Sequence, residues 1–102
     1  MIITSQSHKD DAIVNAKRAA KDYVVTVSPM FAIDGEWYQV ILDGHHSFEA
    51  AIRDGVDPEY REATSQDHDA IGLIAQGKYE EFLEAVQDDD DYRDAYTSKF
   101  VW

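Results

Sequence analysis

The residues of this chain best suited to chemistry crowd into one decapeptide, Leu42–Ala51, LDGHHSFEAA. Asp43-Gly44 is a turn pair, His45, His46 and Ser47 follow at once, and Glu49 stands four residues after His45 and three after His46. Imidazole is the side chain that exchanges protons near neutral pH and, when neutral, ligates metals. At the mouth of a helix it meets backbone N–H groups that lack an intrahelical acceptor, and such an end attracts anions. The segment Gly44–Ser47 therefore predicts an anion site. Gly44 would let a ligand approach the backbone, His45 and His46 would add donors, and Ser47 would cap the helix or donate to the same anion. Glu49, one turn on, would orient either ring. Gly44, His45, His46 and Ser47 are thus the candidate phosphate ligands, and His45, His46 and Glu49 the candidate acid–base residues. A metal centre drawn from His45, His46, Glu49, His68 and Asp69 is the weaker use of these side chains. Neighbouring histidines on one turn point apart, and a His-x-x-Glu spacing is common. No metal is expected.

For that junction to form, a strand must deliver Leu42 and a helix must leave from Gly44. Glu36–Leu42 reads as the strand, paired through Asp34-Gly35 with Met30–Ile33, because Asp-Gly between two apolar runs is a strong hairpin signal. In it Trp37, Gln39 and Ile41 face one way and Tyr38, Val40 and Leu42 the other. Phe48, Ala51, Ile52 and Gly55 mark the buried side of the helix that follows, with Gly55 as its stop. Upstream, residues 2–4 form a short strand. A helix then runs from about His8 to Asp22, capped by Ser7, with a buried stripe of Ala12, Ile13, Ala16, Ala19, Ala20 and Tyr23. Tyr23–Val27 is a further strand. Downstream come a weak strand at Tyr60–Thr64, a helix from about Asp67 to Ala75 and a second helical segment at Lys78–Val86. Trp37, Tyr38, Phe48, Tyr79 and Phe82 read as core. Tyr92, Tyr96 and Phe100 recur every four residues, which suggests an amphipathic C-terminal helix. The order predicts one α/β (α+β) domain over residues 1–102, a small mixed sheet with packed helices, in which 1–64 form the core and 65–102 a helical, acidic C-terminal segment.

The stretch VILDGHHSFEAAIRDGV, preceded by DDAIVNAKRAAKDYVVTVSPM and FAIDGEWYQVIL, resembles the signature of the ParB/sulfiredoxin-like superfamily. Its small members carry a strand, then Asp-Gly-His-His-Arg or a close variant, then an alanine-rich helix ending in glycine. The resemblance spans residues 1–64 and is specific over about ten of them. It implies a ParB/sulfiredoxin-like fold whose helix start cradles nucleotide phosphates, with Asp43, Gly44, His45 and His46 matching the motif. Ser47 stands where the family usually has an arginine that would clamp phosphate in bidentate fashion. The chain has no cysteine, so sulfiredoxin chemistry and thiolate metal sites are excluded. The helical DNA-binding domain of partition proteins does not appear in the sequence.

Charge argues in another direction. Nine Lys and Arg face 21 Asp and Glu, a formal net charge of −12. Residues 1–25 hold Lys9, Lys17, Arg18 and Lys21 against Asp10, Asp11 and Asp22, so 5 basic and 18 acidic side chains fall in residues 26–102. Such a field repels nucleic acid and attracts basic protein surfaces. The run Asp88, Asp89, Asp90 and Asp91 reads as a solvated loop that could meet a partner, with Trp102 as a possible anchor. The run lacks the glycine-bearing pattern of an EF-hand. No signal-peptide run or membrane-length apolar window is visible, so the expected location is the cytoplasm, that of a host cell if the chain is phage-encoded.

Two functions follow. The first is a small acidic binding module that inhibits or regulates a basic nucleic-acid-handling protein, in the manner of phage anti-defence proteins such as anti-CRISPRs. It makes no direct contact with nucleic acid or membrane. The second is a nucleotide-binding enzyme or switch built on Asp43-Gly44-His45-His46. The missing arginine, the negative field and the absence of an evident catalytic set favour the first.

Overall fold

The computed structural model describes residues 1–102. Its elements follow in the order β1 (Ile2–Thr4), α1 (Asp11–Ala20), β2 (Val24–Val27), β3 (Phe31–Ile33), β4 (Glu36–Asp43), α2 (His45–Asp54), β5 (Glu59–Glu62), α3 (Ile71–Ala75), α4 (Tyr79–Val86) and β6 (Arg93–Asp94). The six strands make one mixed sheet, β5-β2-β4-β1-β6, with β3 also on β4. β1 is parallel to β4, and β5 is parallel to β2. This is a small α+β fold.

The β3–β4 hairpin forms where Asp-Gly predicts it. Asp34 and Gly35 both take positive φ, 51° and 81°, the paired left-handed geometry that matches strand twist in a two-residue turn. β2 and β3 run antiparallel to the same strand, β2 against the end of β4 and β3 against its start. The bend between them is pinned by Ser28, wholly buried, whose Oγ accepts the Val40 N–H at 3.0 Å. Alternation along β4 then separates two cores. Tyr38 and Val40 join Ile3, Phe31, Ile71, Phe82, Leu83 and Tyr92 under α3 and α4, with Leu42 partly buried beside them. Ile41 joins Val25, Val27 and Phe48 under α2. Trp37 falls outside both and is exposed.

Three expectations are corrected. α1 begins at Asp11, not His8, because Asp10 rather than Ser7 caps it, its carboxylate accepting the N–H groups of Ala12 and Ile13. Within α1 only Val14 is buried, and the predicted stripe of Ala12, Ile13, Ala16, Ala19 and Ala20 faces outward. Alanine favours a helix on either face, so its spacing does not say which face packs. Ile52 of α2 is exposed for the same geometric reason, since Ala50 and Ala51 turn inward. Third, Tyr92, Tyr96 and Phe100 do not lie on a helix. Arg93–Asp94 is a strand that pairs with Ile3 and Thr4, and Arg93 also bridges to Phe100. The helices of the C-terminal segment are only α3 and α4, and residues 65–70 form turns ahead of α3.

The junction between β4 and α2 is held by close backbone contact. Gly44 has φ 84°, and a Cβ built there would lie 2.4 Å from the Val24 carbonyl oxygen and 2.9 Å from the Val25 Cα. Gly35 also has positive φ but open space around it. Gly44→Ala therefore meets both left-handed strain and a clash with main chain that cannot rotate away, and we expect a loss of about 3 kcal/mol. Gly35→Ala meets the strain alone, about 1 kcal/mol. Urea denaturation of the two variants decides the matter; equal losses would show that contact with β2 is not the constraint.

Candidate functional site

β1 and β4 are parallel neighbours, and a helix leaves the C-terminal side of each. Crevices outside the carboxyl ends of such strands are where open α/β sheets bind ligands. A cleft of about 310 Å³ lies there, lined by Thr4 at the end of β1, Ser5 and Gln6 after it, Asp43 to Ser47 at the start of α2, Lys17 of α1, His68, Val86 and Asp88. Four of the predicted residues, Gly44, His45, His46 and Ser47, thus share one opening, and His68 joins them. Glu49 does not.

Each predicted side chain has a defined position. His45 is buried, and its Nδ1 is 3.4 Å from the Thr4 hydroxyl. His46 turns the other way, its Nε2 accepting the Asp10 N–H at 3.2 Å. That bond assigns the proton of His46 to Nδ1. The rings diverge, and no group of three or more His, Asp or Glu side chains is arranged to hold a metal ion. Glu49 orients neither ring. Its carboxylate is held by Lys9 at 2.9 Å and Arg53 at 3.1 Å, and Arg53 continues to Asp11 at 2.8 Å. Burial opposes ionisation of Glu49, but the bonds from Lys9 and Arg53 outweigh it and keep the carboxyl below its usual range. The clamp tethers α1 to α2 instead of serving the cleft.

Gly44 and Ser47 also differ from expectation in role. The space above Gly44 is filled by β2, not kept for a ligand, and its N–H is taken by the Asp43 carboxylate at 2.8 Å. Ser47 is buried and provides no side-chain cap. Its hydroxyl helps to lower the pKa of Asp22, after the larger contributions of Lys17 and the Val24 N–H. Phe48 N–H already bonds the Gly44 carbonyl, so the α2 donors left for a ligand are the N–H groups of His45, His46 and Ser47.

Thr4, Gln6 and Lys17 join the cleft with no signal in the spacing of the motif. Thr4 sits in the short IIT strand, and only its pairing with β4 brings it beside His45. The residues that follow β1 are held by the C-terminal segment. Ser5 Oγ accepts the Asp88 N–H at 2.7 Å, and Arg93 donates to the Gln6 carbonyl at 2.9 Å. Asp89 accepts the N–H groups of Ser7 and His8 at 2.8 and 3.1 Å, and Asp90 pairs with Arg93 at 3.1 Å. Of the four acids Asp88–Asp91, two are therefore engaged within the chain. Trp102 is exposed, with its ring against Tyr38 and Tyr92 at centroid distances of 5.3 and 5.9 Å. No helix is long and apolar enough to cross a membrane. No family model, curated protein or solved structure matches this chain.

Burial pushes the pKa of His45 down to about 4, and the positive charges of Lys9 and Arg93 push it the same way. An unfolded His45 would protonate near 6.5. Between those values the unfolded chain binds the extra proton, so stability is fully present above pH 6.5 and falls as pH drops towards 4, by at most about 1.4 kcal/mol per pH unit. His45→Gln removes this dependence. Urea midpoints measured from pH 7 to pH 4 should fall more steeply for the native chain than for the variant, and parallel curves would refute the neutral, buried ring.

Proposed function

We propose that the cleft at the start of α2 binds the phosphate groups of a small ligand, a nucleotide above all. One observation carries this reading. In a chain of net charge −12, the N–H groups of His45, His46 and Ser47 have no partner within the chain, and these residues line one cleft together with Lys17 and His68. Backbone donors at a helix start, with basic groups around them, are the chemistry that phosphate requires. A volume of about 310 Å³ suits a di- or triphosphate end with the base lying outside. The reading extends the ParB/sulfiredoxin-like resemblance of residues 1–64, and it explains how the site could work with serine at position 47. There the ligand would be held by main chain, by Lys17, shared with Asp22 at 3.0 Å, and by the Nδ1–H of His46, with the buried Ser47 contributing its N–H alone. Asp43 and Asp88 on the same rim favour a ligand that arrives with a cation.

Isothermal titration with ADP, ATP, CTP and pyrophosphate, each with and without Mg²⁺, tests the proposal. Saturable heat is expected for at least one of them, with affinity falling about tenfold or more for Lys17→Ala and for His46→Ala, the loss typical of one charged hydrogen bond. Lys78→Ala, remote from the cleft, should bind as the native chain does. Silence with every ligand would overturn the reading.

A further inference from the structure

A second concavity lies beside Trp102, apart from the phosphate cleft. It has a volume of about 540 Å³, and its apolar floor is Ile33 of β3, Leu83 of α4, Tyr92 and Trp102. Its rim carries Asp34, Glu80, Glu84 and Asp91, and no lysine or arginine lines it. All four acids are exposed, and none forms an ion pair. Elsewhere Asp11, Asp22, Glu49, Asp54, Asp67 and Asp90 each meet a cation. The groove gathers four uncompensated carboxylates around an apolar floor and an open aromatic ring.

Tyr38 and Tyr92 brace Trp102 from within, while 57% of its surface remains exposed. An indole in this position receives a cation over its face, and guanidinium does so better than ammonium because it also stacks. We propose that this groove docks an arginine-bearing basic segment of a partner protein, with one guanidinium over Trp102 and neighbouring basic side chains on the Asp34, Glu80, Glu84 and Asp91 rim. Charge complementarity selects this occupant. A second copy of the chain would bring another net −12 towards the same four acids. The site is independent of the phosphate cleft, whose lining shares no residue with it. It also relocates the acidic partner surface. The Asp88–Asp91 run contributes only Asp91, because Asp89 and Asp90 are engaged with the chain itself and Asp88 belongs to the cleft.

The probe is a fluorescein-labelled peptide of alternating arginine and glycine, titrated at low salt and followed by anisotropy, with a lysine–glycine peptide beside it. Chemical-shift mapping on ¹⁵N-labelled protein locates the contact. Binding is expected to be tighter for the arginine peptide, with the largest shifts at the Trp102 indole N–H and along α4. Trp102→Ala and the double variant Glu80→Gln/Glu84→Gln should each weaken it at least tenfold. The double variant Asp57→Asn/Glu59→Gln, which removes the same charge elsewhere, should change it less than twofold. Lys17→Ala should not affect it, so that failure of the phosphate reading and failure of this one remain separate. Circular dichroism melts establish that each variant is folded, and the charge variant decides the outcome if Trp102→Ala is not. Equal weakening by the two double variants would reduce the interaction to diffuse charge and overturn the proposal. So would a dimer, seen by sedimentation, that Trp102→Ala dissolves, since the groove would then belong to a second copy.

Discussion

The approach of Gly44 to the backbone of β2 is the constraint from which the rest of the molecule is arranged. It fixes where β4 ends and the direction in which α2 leaves, and so lays Phe48 across Val25, Val27 and Ile41. With α2 set, Ala50 and Ala51 offer a flat inner side on which α1 rests through Val14, and the Lys9–Glu49–Arg53–Asp11 chain of ion pairs ties the two helices together. Surface ion pairs contribute little each, but a linked set limits how one helix can slide on another. The glycine of the motif thus acts first as a structural contact. Its consequence for binding is indirect: the helix start is aimed at the crevice because β2 permits no other exit.

Charge is partitioned accordingly. Most of the few cations in this acidic chain lie on or against α1 and α2, where they pair with local carboxylates, and Lys9 also stands near enough to His45 to disfavour its protonation. The carboxylates of α4 and the β3–β4 turn have no such partners. A net charge of −12 therefore describes neither end of the molecule. The total alone would assign one partner type to the whole surface, whereas paired and unpaired charges are distributed unevenly over it.

What could be read from the residues was what local chemistry specifies. The hairpin at Asp34-Gly35, the β4–α2 junction and the alternation of Tyr38 and Val40 against Ile41 follow from turn preference and period. So does the clustering of Gly44, His45, His46 and Ser47. The failures share one cause, which is that the deciding contacts are remote in sequence. A spacing of four, as in Tyr92, Tyr96 and Phe100, satisfies a helix and a strand alike, and only the neighbour β1 chooses the strand. Alanines do not reveal the packed side of α1. Glu49 sits at the right offset to orient an imidazole, yet Lys9 is a better partner for it and arrives from 40 residues away. The same holds for Thr4 and Lys17, which reach the cleft through topology.

β1 lies inside the sheet. Its flanks are β4 on one side and β6, at residues 93–94, on the other. Pairings between residues so far apart are slow to form, because a long loop must close before any contact rewards it. During synthesis the wall formed by Thr4, Ser5 and Gln6 can acquire its outer support only after Arg93 has been made. The crevice is therefore assembled late, and the chain can emerge and begin to collapse around β2–β4 and α2 well before it holds a ligand.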